Sequence, residues 1–430
     1  MMIPTGAPSP SSAASTLTRR RVLGVGGALG VVALAGCASA AASGGATSSG
    51  SAAATASTGT TLGPGSVNVT FSSSTDSGPG GSASQKLSAA YLVDGIAATI
   101  DGGTWASTTA DQNVFLVVNG GSLTLTNATV TKTGDSSQED ACNFYGLNSA
   151  VLVVGEGSRA TLTDCTVTTG AAGANAVFAS SGGGVTAKGL TITTTKDSSR
   201  GLDATYAGVI TASDVSITTA GAHCACLATD RGNGTVTVTG TSALAASGDG
   251  SPLVYSTGDI SVTGATGAAT GAQIMVIEGR NAITLDRCRF RTSGTEGMMI
   301  YQSFSGDAAD ADATAQKATM TIRNSALTST TTRPMIYVTN TDCEVAVTSS
   351  TLRHRSSAPL LSLAADRWGT TGSNGGKAAV TFRSCPALTG ALAADDVSSA
   401  TVALAKGSRL TGRTSGAVTV TADASSHWTA

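Results

Sequence analysis

The stretch Thr161–Gly170 reads "TLTDCTVTTG": apolar and hydroxyl residues alternate, the run breaks once at Asp164, and the alternation resumes. Near-copies stand on either side, "TLTNATVTKTG" from Thr124, "TAKGLTITTT" from Thr186 and "TASDVSITTAG" from Thr211. Successive side chains of a strand point to opposite faces, so each copy presents one apolar face and one hydroxylated face. Taking the second apolar residue of each phrase as an anchor gives Leu125, Leu162, Ala187, Ala212, Val238, Val262, Leu285, Ile322, Val347, Phe382 and Leu404. The intervals are 37, 25, 25, 26, 24, 23, 37, 25, 35 and 22 residues. Seven lie between 22 and 26, which is a coil of near-constant length, and the other three carry insertions.

Reading by column fixes the faces. Two residues before each anchor every position is apolar, from Leu123, Ala160 and Val185 through to Val380 and Val402. Between these two files runs a column of threonine with an occasional serine or alanine. Two residues past the anchor come Asn127, Asp164, Gly189, Asp214, Gly240 and Gly264, types that tolerate left-handed backbone angles, so the chain bends there. A second apolar element follows in most coils, as in "AVFAS", "CLATD", "PLVYS", "IMVIE", "MMIYQ", "PMIYV" and "PLLSL". Short strands, a bend and a repeat near 25 predict an all-β solenoid whose coils stack at about 4.8 Å. The pattern resembles the right-handed parallel β-helix of the pectin-lyase-like group from about Leu87 onward. The phrases "LATDRGNGTVTV", "GDGSPLVYSTGDI" and "VIEGRN" are similar to bacterial surface β-helix proteins. The expectation is about 11 or more coils over residues 66–430, with an N-terminal cap within 66–120.

Composition agrees. Only 4% of the 430 residues are aromatic and 12% charged, with a net charge of -2, so nothing here points to nucleic acid. The first residues read as an address label. "TLTRRRVLGVGGALGVVALAGC" places Arg19, Arg20 and Arg21 before an apolar run too short for a comfortable membrane span. "TRRRVL" resembles a twin-arginine export signal and "LAGC" a bacterial lipobox. That resemblance implies a signal peptide over 1–36, a lipid on Cys37, and a mature protein tethered to the outer side of the cytoplasmic membrane. Residues 37–65 have no periodic apolar face and read as a flexible linker, and Ser72–Ser84 as a second loose loop.

Eight cysteines in an exported chain raise the question of disulfides. Cys165, Cys288 and Cys385 all lie three residues past an anchor, in an inward column with Ala128, Leu190, Val215 and Ala265. The first two are five coils, roughly 24 Å, apart, so they read as buried single thiols. His223, Cys224 and Cys226 offer metal-binding types, but three ligands within four residues of strand cannot wrap one ion, and no cofactor is expected.

Four surfaces are candidates for function. The threonine column matches an ice-binding plane in its first coils, yet Lys188, Asp286, Arg323 and Arg383 interrupt it, and β-propensity alone accounts for threonine there. The ends of the second strand supply Asp203, Asp230 with Arg231, Glu278 with Arg280, and Asp366, Arg367 and Trp368. One coil, about 5 Å, separates Asp203 from Asp230, and two coils, about 10 Å, separate Asp230 from Glu278. Those distances suit retaining and inverting carboxylate pairs respectively. Against catalysis, each acid has an arginine nearby, and only three tryptophans are available as sugar platforms. Asp307, Asp310 and Asp312 could hold calcium, but no Glu or Gly follows at calcium-loop spacing, so a solvated acidic loop is expected. The insertion Asp366–Lys377 carries an arginine, a tryptophan and a glycine-rich tip on a rigid scaffold, where binding tends to reside. The sequence thus favours a non-catalytic, lipid-anchored surface β-helix for adhesion, polysaccharide contact or envelope scaffolding. The alternative is a β-helical polysaccharide lyase or glycoside hydrolase.

Overall fold

The computed structural model describes residues 62–73, 81–303 and 317–430. Arg19, Arg20, Cys37, Asp307, Asp310 and Asp312, with all of the signal peptide and most of the linker, lie outside the described residues.

One turn of the solenoid shows how the opening phrase folds. Arg159–Thr163 forms a strand, Asp164 takes a left-handed φ of 52°, Thr166–Thr169 forms a second strand, and Val177–Ser180 a third. The phrase therefore spans two strands in two different sheets, hinged on a single residue. Successive turns stack in parallel to give three long sheets. Sheet A has 14 strands and contains Val177–Ser180, sheet B has 13 and contains Arg159–Thr163, and sheet C has 10 and contains Thr166–Thr169. A small three-stranded sheet, Leu388–Thr389, Arg409–Thr411 and His427–Thr429, stands at the C-terminal end.

The register matches the columns read from the sequence residue for residue. Leu125 pairs with Leu162, Leu162 with Ala187, Ala187 with Ala212, and so on through Val347, Phe382 and Leu404. Both apolar files are buried along their full length and belong to one continuous core. Each fully buried aliphatic side chain contributes on the order of 1.5–3 kcal/mol. The hydroxyl column faces out, with Thr161, Thr186 and Thr211 exposed.

The bend column is also continuous. It runs Gly102, Asn127, Asp164, Gly189, Asp214, Gly240, Gly264, Arg287, Asn324, Ser349, Ser384 and Lys406, every one at a φ between 50° and 80°. Asparagine side chains help to hold it, since Asn127 Nδ2 donates to Asp101 and Asn324 Nδ2 to Asp286, each at 2.9 Å. In the next position Cys165, Cys288 and Cys385 are buried and unpaired. Each thiol lies against the carbonyl two residues back, at 3.2–3.4 Å. Ser325 and Ser350 donate to the equivalent carbonyls at 2.6 and 2.7 Å, so cysteine and serine do the same work in this column.

Two features build out the N-terminal end. Tyr91, Trp105 and Phe115 pack ring to ring at 4.8–5.4 Å in the first turn. Gly65–Ser73 pairs antiparallel with Gly81–Asp94 as the edge of sheet A. Ser72–Ser73 and Gly81–Ser84 thus belong to strands, correcting the two ends of the loop expected over Ser72–Ser84, whose residues 74–80 lie outside the described residues: the alternation with small polar residues hides a ladder made across Thr70–Ser73. Phe71 lies 4.7 Å from Tyr145 and 5.5 Å from Tyr206, so the hairpin covers the outer side of sheet A. Of the suspected end caps, Val67–Phe71 forms part of this cover, and Trp428 packs against the core at the other end, its indole N–H on the Gly412 carbonyl at 2.9 Å.

Candidate binding face on sheet A

The central outward position of sheet A runs through Leu116, Leu152, Phe178, Asp203, Ala228, Tyr255, Val276, Met299, Tyr337 and Ser362 on successive rungs. Its first three members lie in a second hydrophobic cluster under the hairpin and a short helix, Glu139–Tyr145. The helix begins with two acids, Glu139 and Asp140, and ends at Gly146 in the left-handed region (φ 69°). Its last carbonyls are satisfied from the sheet: Asn175 Nδ2 donates to Cys142 O at 2.9 Å and Thr205 Oγ1 to Phe144 O at 3.0 Å. At the other end Glu139 accepts from Ser198 Oγ at 2.7 Å.

Where the cover stops, charge begins. Arg200 precedes the strand Leu202–Thr205 and is buried. Its Nε stands 2.6 Å from Asp230 Oδ2 and 3.7 Å from Asp203 Oδ2, and its Nη1 donates to Asn143 on the helix. Burial, then the neighbouring Asp230 carboxylate, hold the Asp203 carboxyl well above the usual carboxylate range, and Arg200 only partly offsets them. Asp203 and Asp230 are 0% and 1% exposed, so this is an enclosed cluster of one cation and two carboxyls. Arg231 turns the other way and lays its guanidinium 3.6 Å from the centre of the Phe144 ring.

Glu278 lies two rungs beyond Asp230, as the spacing predicts. Its carboxylate accepts the hydroxyls of Tyr255, Tyr301 (2.7 Å) and Ser303. Arg280 follows at the corner, half-buried. Tyr301 also packs at 5.4 Å against Trp368, over which Arg367 places its guanidinium at 4.4 Å. Asp366 accepts the Tyr337 hydroxyl at 3.0 Å. Burial, and then that carboxylate, push the Tyr337 phenol above its ordinary value. The loop is fixed from behind by Asn374, whose Nδ2 donates to the carbonyls of Asp366 and Trp368 at 2.7 and 2.8 Å. Gly369 is required there: its φ is 74° and a Cβ would sit 2.1 Å from Asn340 Oδ1.

Six of the eight candidates fall into three groups along one face, while Arg231 stacks on Phe144 and Arg280 stays at its corner. Asp203 and Asp230 share an arginine. Glu278 is joined through Tyr301 to Trp368. Asp366, Arg367 and Trp368 form the outer rim. The sequence reading missed Arg200, Asn143, Tyr255, Tyr301 and Tyr337. The tyrosines were visible in "PLVYS", "MMIYQ" and "PMIYV", but finding their side needs the parity of sheet A. Tyr255 and Tyr337 occupy its central outward file, and Tyr301 the outward file next to it. His223, Cys224 and Cys226 do not converge: the Cys224 thiol accepts the Ser199 N–H at 3.0 Å, while Cys226 belongs to the hydrocarbon core.

No family model matches the chain, and no curated protein matches it. Among solved structures it is similar, at 14% identity and a TM-score of 0.25, to a TibC-catalysed hyper-glycosylated TibA fragment, over 79% of this chain and 99% of that one.

Proposed function

We propose that this chain is a non-catalytic, surface-displayed β-helix, lipid-tethered at Cys37, that contacts glycan along sheet A between Tyr255 and Trp368. The succession of side chains on that face carries the reading. It is hydrocarbon and covered up to Phe178, closed by the Arg200–Asp230 pair beside Asp203, and then half-buried and aromatic at Tyr255, Tyr337 and Trp368, with exposed Asp366 and Arg367 at the rim. Aromatic faces take the C–H faces of sugar rings, and fixed polar groups orient sugar hydroxyls. Bond cleavage needs one carboxyl to give a proton and another to attack or activate water. Asp203 and Asp230 instead close on Arg200, and Glu278 is engaged by three hydroxyls.

A glycan array probed with the full chain tests the reading. Binding is expected for some members and should fall at least tenfold in Trp368→Ala, and silence across the array overturns it. One observation favours a lyase or hydrolase instead: a raised Asp203 beside Asp230 could deliver a proton. Sugar release from polysaccharide that disappears in Asp230→Asn or Glu278→Gln would establish that alternative. The tether is checked separately by fatty-acid labelling, which Cys37→Ala should abolish.

A further inference from the structure

A second surface of the rod has the chemistry of a binding site. On sheet C the outward threonines of the early coils, Thr168, Thr193 and Thr218, give way to Ala245 and Ala268 and then to Arg291. The neighbouring file changes in step, from Ser216 through Ala243 and Thr266 to Arg289. The shortened side chains leave a shallow depression of about 530 Å³, with Arg289 and Arg291 along one side and no carboxylate in its lining. Both arginines are exposed, and neither guanidinium has an ion-pair or hydrogen-bond partner among the described residues. Two strand positions, about 7 Å, separate them, so both can converge on one anionic group. Arg353 stands two rungs further along the Arg291 file, about 10 Å away. A chain with a net charge of -2 thus concentrates three uncompensated cations on one strip of one face.

We propose that this depression docks a strand of acidic polysaccharide lying along the rod axis. The charge requires an anionic partner, and cations at two points about 10 Å apart along the axis, Arg289 with Arg291 and then Arg353, fit repeating charges better than a single ion. The flat alanine floor offers methyl groups to sugar C–H faces. No outward aromatic side chain lines it, so it lacks the platform on which nucleic-acid bases stack. The proposal is independent of the sheet A face, and a silent result there leaves it standing.

The test titrates the full chain with hyaluronan oligosaccharides (carboxylate), dextran sulfate (sulfate), neutral dextran and a thymidine oligonucleotide. The two acidic arms identify which anion is read. Binding to at least one acidic polymer is expected, weakening as salt is added. Arg289→Gln with Arg291→Gln should lower that affinity at least tenfold. The control pair Arg159→Gln with Lys188→Gln removes the same charge from sheet B and should leave it within twofold. Failure to bind either acidic polymer overturns the proposal. So does equal binding of neutral dextran, equal or tighter binding of the oligonucleotide, or equal weakening in both variant pairs.

Discussion

At the residue scale the most consequential group is Asp203. One cation, Arg200, faces two buried carboxyls, so one of the three charges is surplus, and burial beside Asp230 shifts Asp203 toward its protonated form. Its folded-state pKa is raised above the ordinary 3.8, so between 3.8 and the raised value the folded state binds the proton more tightly than the unfolded chain does. Stability from this group is therefore full at low pH and declines as pH rises through that window. Asp203→Asn imitates the protonated carboxyl. It should flatten the fall of the thermal midpoint as pH rises above the ordinary carboxylate range, without lowering the midpoint at the alkaline end of that fall. Asp203→Asn combined with Asp230→Asn leaves Arg200 buried with no counter-ion, which should cost about 3–5 kcal/mol in urea unfolding. A double variant as stable as the parent would show that Arg200 is solvated and that the cluster is not closed.

At the scale of elements, the clearest case is the loop that carries the helix. The inward end of several sheet C strands holds a small hydroxyl that ties down the following corner, as Thr194 does to Ser199 O at 2.7 Å and Thr219 to Cys224 O at 2.6 Å. Lys132 occupies the same column next to Ser107 and Thr169, and its buried ammonium donates to the carbonyls of Thr109, Thr133 and Gly134. Desolvation brings its pKa down to about 8, so it is still mostly charged near neutrality. Its longer reach suits the longer corner, because the residues it secures begin the insertion containing Glu139–Tyr145. Lys132→Met keeps the hydrocarbon stem and strands the carbonyls of Thr109 and Thr133, Gly134 O keeping Asn148 Nδ2 at 3.0 Å, which should cost about 1–3 kcal/mol and open residues 133–148 to limited proteolysis. Unchanged proteolysis would mean that the helix is held by its sheet contacts alone. Legibility also differs from element to element. The sheet B columns can be read directly because a constant coil length keeps each apolar residue above its predecessor. Sheet C is hidden because only one left-handed residue divides its strands from sheet B, so alternation runs on through the break. The corners at Arg287, Ser349, Ser384 and Lys406 give no signal at all, since those residue types adopt positive φ only when the ladders on both sides impose it. The acids of sheet A stood out as charges beside apolar strands. Arg200, lying in a loop, and the tyrosines, lying inside apolar-looking quartets, became meaningful only once the outward parity was known.

For the whole molecule, each turn touches its neighbours and little else, so stability should follow nearest-neighbour rules rather than those of one globular core. A charge buried in the hydrocarbon file then has consequences set by where along the rod it falls. Val238 is fully buried between Ala212 and Val262, with long runs of turns on both sides. Val402 is equally apolar in context but pairs with Val420 in the last strand of sheet B, Ala417–Ala422, which is largely exposed. Val238→Asp must either carry an unpaired carboxylate in the core or separate the rungs around it, and neither half can relax without losing its neighbour. It should lower the main thermal transition by far the larger amount, or split it into two. Val402→Asp can release the terminal turns alone. It should leave the main transition within a few degrees of the parent while increasing hydrogen exchange in the strands after Lys377. If the two substitutions depress the main transition equally, the rod unfolds as one cooperative unit, and the turn-by-turn account of its stability is wrong.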